Sequence, residues 1–297
     1  MPLTPSPSVV RAGQVLTHLA AHPTRTFTAS ELARSLAIPR ATCNSLLLGL
    51  DELGLVRRDA SLAYGLGRGC ISLGDAARTA DPALRISTSH AEELSRMTSF
   101  ATSVSMRDGD TTRVVAVFDG TGSSGARPHQ GDSVRLVPPF GATHLAWSDE
   151  AEIDGWLARA VPVLDDAERA RYRVALEAVR ERGFSITVAS DPQSRFAAVL
   201  ERLGDDPDAD VEIDDVLGEI AHSDYLTSEL RPTGPLRITQ LSAPVFDADG
   251  DVAATIMVFG PDGDLTTDET MDLGHSLLDA ARRATQSLGG NRPERHR

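Results

Sequence analysis

The sequence predicts an α+β chain of two domains, a winged helix-turn-helix followed by a larger mixed domain, and three observations predict it. The first is length: 297 residues exceed what one ordinary core covers and suit one domain of under about 100 residues and another nearer about 200. The second is period, which is mostly helical up to Met97 and changes to alternating, Val-rich runs from Ala101 onward. The third is the distribution of a net charge of -14. Residues 1–80 hold eight Arg against five Asp and Glu, about +3, while residues 81–297 hold 21 Arg against 38 acidic side chains, about -17. A mildly basic head therefore precedes an acidic body. Lys is absent, so every fixed cation is Arg, a side chain that can also grip a guanine edge with two hydrogen bonds.

Val9, Ala12, Leu16 and Leu19 recur at helical spacing, which predicts a first helix over Ser8–Ala21, stopped by His22-Pro23. Thr28-Ala29-Ser30-Glu31 fits a capping box, the hydroxyl of Thr28 accepting from a first-turn amide while Glu31 reaches back. A short helix through Leu32 and Leu36 follows. After a turn at Ala37-Ile38, Pro39 suits the first position of a third helix, whose buried face is expected at Leu46, Leu50 and Leu53. Gly54 ends it, and Leu55–Asp59 and Ala63–Leu66 form two extended runs around a turn. Such a succession can seat one helix in a major groove and lay a hairpin along the backbone. The periodicity by itself fits equally a small helical domain that never meets DNA.

Leu66–Ala80 is expected to be a linker helix, and Asp81-Pro82 opens a helix reaching Met97. Strands are expected at Ala101–Arg107, Arg113–Phe118, Val134–Val137 and Phe184–Ala189. Helices follow at Ala142–Trp147, Glu150–Ala160 and Asp165–Arg182, the last capped by Gly183. Leu236–Phe246 and Val252–Phe259 pair across Asp249-Gly250, and Thr266–Leu288 closes the chain as an amphipathic helix. The boundaries are thus 1–65 for the head, 66–81 for the linker helix and 82–288 for the second domain. An insertion is expected near 190–235, with helices at Arg195–Leu203 and Val216–Ala221, and a disordered tail at 289–297.

Several chemistries lack their residues. No apolar stretch approaches the roughly 20 residues of a membrane span and no signal peptide opens the chain, so a cytoplasmic location is expected with no membrane partner. Cys43 and Cys70 suit free thiols. Gly120-Thr121-Gly122-Ser123-Ser124-Gly125 follows a strand like a nucleotide cradle, but Ala126-Arg127-Pro128 opens no helix behind it, so a flexible loop is expected. His18 and His22 stand four apart without a third metal ligand, and the acidic run Asp205–Asp215 lacks the Gly and Glu of a calcium loop. No metal, cofactor or catalytic residue is expected, and an enzyme is the least supported class.

The run TFTASELARSLAIPRATCNSLLLGLDELGLVRRDASLAYGLG, from Thr26 to Gly67, resembles the winged helix-turn-helix of the IclR family of transcription regulators. VPPFGATHLAW, RGFSI and LSAPVFDADGDVAATIMVFGP extend the resemblance along nearly the whole chain except Ser190–Pro235. It implies a GAF-like effector-binding domain behind the head, and a homodimer or dimer of dimers on double-stranded operator DNA. Carried over position by position, it implies DNA contacts from Thr28, Arg40, Ala41, Thr42, Asn44, Ser45, Arg57 and Arg58. Ala41 and Ser45 depart from the family, which usually has Ser and Arg there. An altered operator follows, or, as an alternative, a ligand-binding interaction module whose head no longer reads DNA specifically. The resemblance places the effector among Phe140, Gly141, Ala142, Gln240, Ser242, Met257 and Phe259. Gln240, Met257 and Phe259 replace the family's smaller polar groups, which favours a small-molecule effector that is larger and more apolar or aromatic than a small carboxylate.

Overall fold

The computed structural model of the chain describes residues 4–123, 127–189, 235–261 and 263–293, together with residues 195, 198, 199, 215, 216 and 219. Most of the expected insertion near 190–235, including the helices foreseen there and the acidic run, lies outside the described residues. The described chain forms two compact units, divided between Ala80 and Asp81.

The first unit contains α1 (Pro7–Ala21), β1 (Phe27–Thr28), α2 (Ala29–Ser35), α3 (Arg40–Glu52), β2 (Val56–Arg58), β3 (Ala63–Leu66) and α4 (Gly69–Ala80). Its small antiparallel sheet has the order β1-β3-β2. Val15, Leu19, Phe27, Leu32, Cys43, Leu47, Leu50, Val56 and Tyr64 share one core. The capping box forms as expected, Thr28 Oγ1 accepting from the Glu31 amide at 3.2 Å and the Glu31 carboxylate accepting from the Thr28 amide at 2.7 Å. Two expectations need correction. The buried stripe of α3 is Cys43, Leu47 and Leu50, and Leu53, beyond the last turn, is 70% exposed. The linker helix starts at Gly69 rather than Leu66, because β3 runs through Leu66 and the chain then packs against Gly54: an added Cβ at Gly67 would lie 2.2 Å from the Gly54 carbonyl oxygen.

The second unit contains α5 (Pro82–Thr98), β4 (Thr102–Asp108), β5 (Thr111–Phe118), β6 (Ser133–Arg135), α6 (Ala142–Leu145), α7 (Glu150–Leu157), α8 (Asp166–Arg182), β7 (Ser185–Val188), β8 (Ile238–Phe246), β9 (Val252–Phe259) and α9 (Thr267–Ser287). Its six strands form one antiparallel sheet in the order β6-β5-β4-β9-β8-β7. Alternation along the strands divides the side chains between two faces. On one face Val104, Ile186, Leu241, Ala243, Val245, Ala254, Ile256 and Val258 pack with Leu94 of α5 and Leu277 and Ala281 of α9. A second core of Leu136, Leu145, Ile153, Trp156, Tyr172 and Leu176 joins α6, α7 and α8.

The sheet is curled around α6. Thr143 Oγ1 lies 3.0 Å from Ser185 Oγ on β7, while the next residue, His144, places Nε2 at 3.4 Å from Thr112 Oγ1 on β5. In a flat sheet those strands would stand about 19 Å apart, so only a strongly curved one brings both within reach of adjacent side chains. Two expected loops are also more ordered than foreseen. Gly120–Ser123 is stitched to the sheet, Ser123 Oγ accepting from the Ala101 amide at 2.8 Å and donating to the Phe259 carbonyl at 2.7 Å. Residues 289–293 are not disordered: the Gly290 amide donates to the Thr285 carbonyl at 2.9 Å, Gly290 is buried, and the Arg292 guanidinium lies 5.7 Å over the Trp147 ring.

Candidate DNA interface and ligand-binding face

Helix α3 turns one face to the core and the other to solvent. Because Cys43, Leu47 and Leu50 are buried, the positions between them emerge: Arg40, Ala41, Asn44 and Ser45 are exposed, and Thr42 is half-buried. Leu48, which the sequence reading passed over, belongs to the same outward stripe and is 66% exposed. The signal was present in Leu46-Leu47-Leu48, since successive residues on a helix turn by about 100° and three in a row cannot all face one core. Arg57 and Arg58 stand exposed on β2, the Arg58 guanidinium 5.6 Å from the Tyr64 ring centroid. Arg25, also not foreseen, is exposed beside β1, stacked 4.5 Å over Phe27 and 3.9 Å from the Glu31 carboxylate. The hydroxyl of Thr28 is committed to its cap, which also holds the Glu31 carboxyl below the usual range.

His18 and His22 sit with ring centroids 4.8 Å apart and both against Phe27, and His22 Nδ1 lies 2.9 Å from the His18 carbonyl oxygen. Among the described residues no group of three or more His, Cys, Asp or Glu could hold a metal ion, and no helix is long and apolar enough to cross a membrane.

In the second unit the face opposite the α5 and α9 core is polar. Strand pairing aligns Ser103, Met257, Ser242 and Ser185 in one row across β4, β9, β8 and β7. A neighbouring row carries Ser105, Thr255 and Pro244, and another Phe259, Gln240 and Thr187. Gln240, Ser242, Met257 and Phe259, chosen from the sequence, therefore do converge on one face, with β9 central because it pairs both β4 and β8. Phe140, Gly141 and Ala142 form the entry to α6 instead. Gly141 adopts φ +90 at the helix start, and Ala142 packs in the helical core. The Phe140 carbonyl accepts from Trp156 Nε1 at 2.9 Å.

Sequence reasoning missed Ser103, Ser105, Thr143, Ser185, Thr255 and His144. Part of the signal was legible, since Ser103-Val104-Ser105 alternates hydroxyl and apolar groups, but which face carried α6 was not. His144 is buried, and burial, with the nearby Arg107 cation, lowers its pKa from 6.5 to about 4, so its imidazole is neutral at pH 7. Arg107 is itself paired with Glu152.

Comparisons with known proteins agree with this arrangement. Residues 8–60 match the model of the IclR helix-turn-helix domain. The chain is 25% identical over 263 residues to the HTH-type transcriptional regulator KipR of Bacillus subtilis (strain 168), a match spanning 88% of this chain and 90% of that protein. The fold is similar to that of an IclR transcriptional regulator from Alicyclobacillus acidocaldarius, with a TM-score of 0.70 at 19% identity over 96% of this chain and 100% of the other. It is similar also to Pseudomonas aeruginosa HmgR, with a TM-score of 0.63 at 22% identity over 96% and 100% of the two chains. The head thus matches the IclR helix-turn-helix domain, and the rest of the chain is similar in sequence to KipR along most of its length and shares the α+β fold of the two solved regulators.

Proposed function

We propose that this regulator binds a pseudo-palindromic operator as a homodimer or a dimer of dimers, and that a small molecule held on the polar sheet face of the second unit changes its affinity for that operator. The observation that carries the reading is the outward stripe of α3. Arg40 and Asn44 stand on it one turn apart, free of the core, with side chains suited to guanine and adenine edges respectively. Arg57, Arg58 and Arg25 are exposed cations of the same unit and suit phosphates, which fix register without reading sequence. In the second unit Gln240, Ser242, Met257 and Phe259 support an effector site by their shared face.

The mechanism is linkage. A ligand that prefers one arrangement of the two heads shifts the population toward it, and the operator shifts ligand affinity by the same factor. Domain limits at 1–65, 66–81 and 82–288 suit this reading, with α4 as the segment by which the chain leaves the head.

The test is fluorescence anisotropy with the intergenic DNA beside the protein's own gene and with scrambled DNA, across a salt series. Preference for the native fragment that persists as salt rises supports the operator reading, because phosphate contacts weaken steeply and do not discriminate. A second reading is motivated by Ala41, Ser45 and Leu48, which give the stripe two small side chains and one apolar one. In that reading the head is an interaction module, and equal, weak binding to both fragments is its expected result.

A further inference from the structure

Leu48 is 66% exposed on α3 and takes no part in the core of the head. Single apolar side chains are common on protein surfaces, but the place of this one is unusual. Helix α3 belongs to the helix-turn-helix head, and its buried stripe is Cys43, Leu47 and Leu50. At about 100° per residue, Leu48 points about 130° away from the middle of that stripe and within about 20° of Ala41, seven residues earlier. Asn44 and Ser45 come about one turn before it, on either side of the line from Ala41 to Leu48. Leu48 therefore stands well inside the face that α3 turns outward.

The side chains around it decide how far it can reach. Ala41 and Ser45 are short and exposed, so neither holds the helix away from a surface laid against it. Leu48 and Asn44 are the longer groups there, one purely apolar and one carrying both a donor and an acceptor.

In a major groove an apolar side chain has one kind of partner. Only the thymine edge presents a methyl group, at C5, whereas guanine, cytosine and adenine present donors and acceptors. A leucine laid on the methyl group removes apolar surface from water on both sides. Laid on a guanine or cytosine edge it would strip polar groups of their bonds to water and return none.

We infer that Leu48 reads a thymine, packing on its C5 methyl group in each half-site of the operator. One helical turn advances about 6 Å, so this thymine falls about two base-pair steps from the base that Asn44 contacts. The inference rests on the operator reading above and adds to it a specificity-determining residue and the base it selects.

The test begins by selecting bound duplexes from a random pool with the full-length protein, which defines the operator. Each thymine of that operator is then replaced in turn by deoxyuridine, which deletes the methyl group and keeps every hydrogen-bonding group. By fluorescence anisotropy the parent protein is expected to lose about three- to tenfold in affinity at one thymine of each half-site. Leu48→Ala is expected to bind the unmodified operator about three- to tenfold more weakly and to be indifferent to deoxyuridine at that position, which marks the two groups as coupled. Leu53→Ala alters another exposed leucine, beyond the last turn of the same helix and about 140° round from Leu48, and is expected to keep the parent's deoxyuridine penalty. A sequence-specific operator with no thymine whose methyl group matters, or a deoxyuridine penalty of the same size in the parent and in Leu48→Ala at every thymine, would overturn the inference and leave the operator reading standing. Selection that returns no preferred sequence would overturn the operator reading and this inference with it.

Discussion

At the residue scale, the two units pose opposite problems for a polar side chain. On α3, Arg40 and Asn44 are exposed and lose nothing by waiting for a base edge. Arg40→Ala and Asn44→Ala are each expected to cost about 1–3 kcal/mol of specific operator binding and to relax preference at one base position. Arg57→Ala is expected to weaken native and scrambled DNA alike and to reduce the slope of log affinity against log salt by about 1. Competition anisotropy at several salt concentrations separates the two behaviours. On the sheet face, burial works against the charged form of His144, lowering its pKa from 6.5 to about 4. The unfolded chain therefore takes up that proton first as pH falls. The stability linked to His144 is full above about pH 6.5 and is lost between there and pH 4, by about 2 kcal/mol at pH 5. Urea unfolding at pH 7 and pH 5 should show this fall in the parent protein and its absence in His144→Gln.

At the scale of the element, the same residue type has opposite consequences according to what lies beside it. Gly74 in α4 has open space where a Cβ would go, so Gly74→Ala should raise stability by about 0.5–1 kcal/mol through helix propensity alone. Gly274 in α9 is also helical, but an added Cβ would lie 2.2 Å from the Phe184 ring. Gly274→Ala is therefore expected to destabilise by about 1–3 kcal/mol despite the better propensity. Thermal unfolding of the two variants beside the parent checks both signs. The elements themselves were largely legible in the sequence. The capping box at Thr28, the strand Val252–Phe259 and the long helices each carry their own period or punctuation, which acts over a few residues. The phase of α3 was not, because Leu46-Leu47-Leu48 offers several apolar stripes and only packing against α1 and α2 selects one.

Across the whole molecule, a charge of about +3 on residues 1–80 and about -17 on the remainder gives DNA one favourable unit to approach and one to avoid. Linkage then requires reciprocity. A ligand that lowers operator affinity tenfold must bind tenfold more weakly to the operator complex than to the free protein. Calorimetry of an effector with and without saturating operator is expected to return that factor, and unequal factors would mean that the two sites are not coupled as proposed.

The sequence by itself determined the α+β class, the order of elements and the basic head. Each of these depends on local periodicity, capping or composition, which neighbours in the chain settle. Only the tertiary structure decided which sheet face meets α5 and α9 and which meets α6. It also decided that Thr143 and His144 reach strands four places apart, and that Ser103 lies beside Met257. These are contacts between residues far apart in sequence, fixed by the curl of the sheet and by strand register, and no single segment carries the information to specify them.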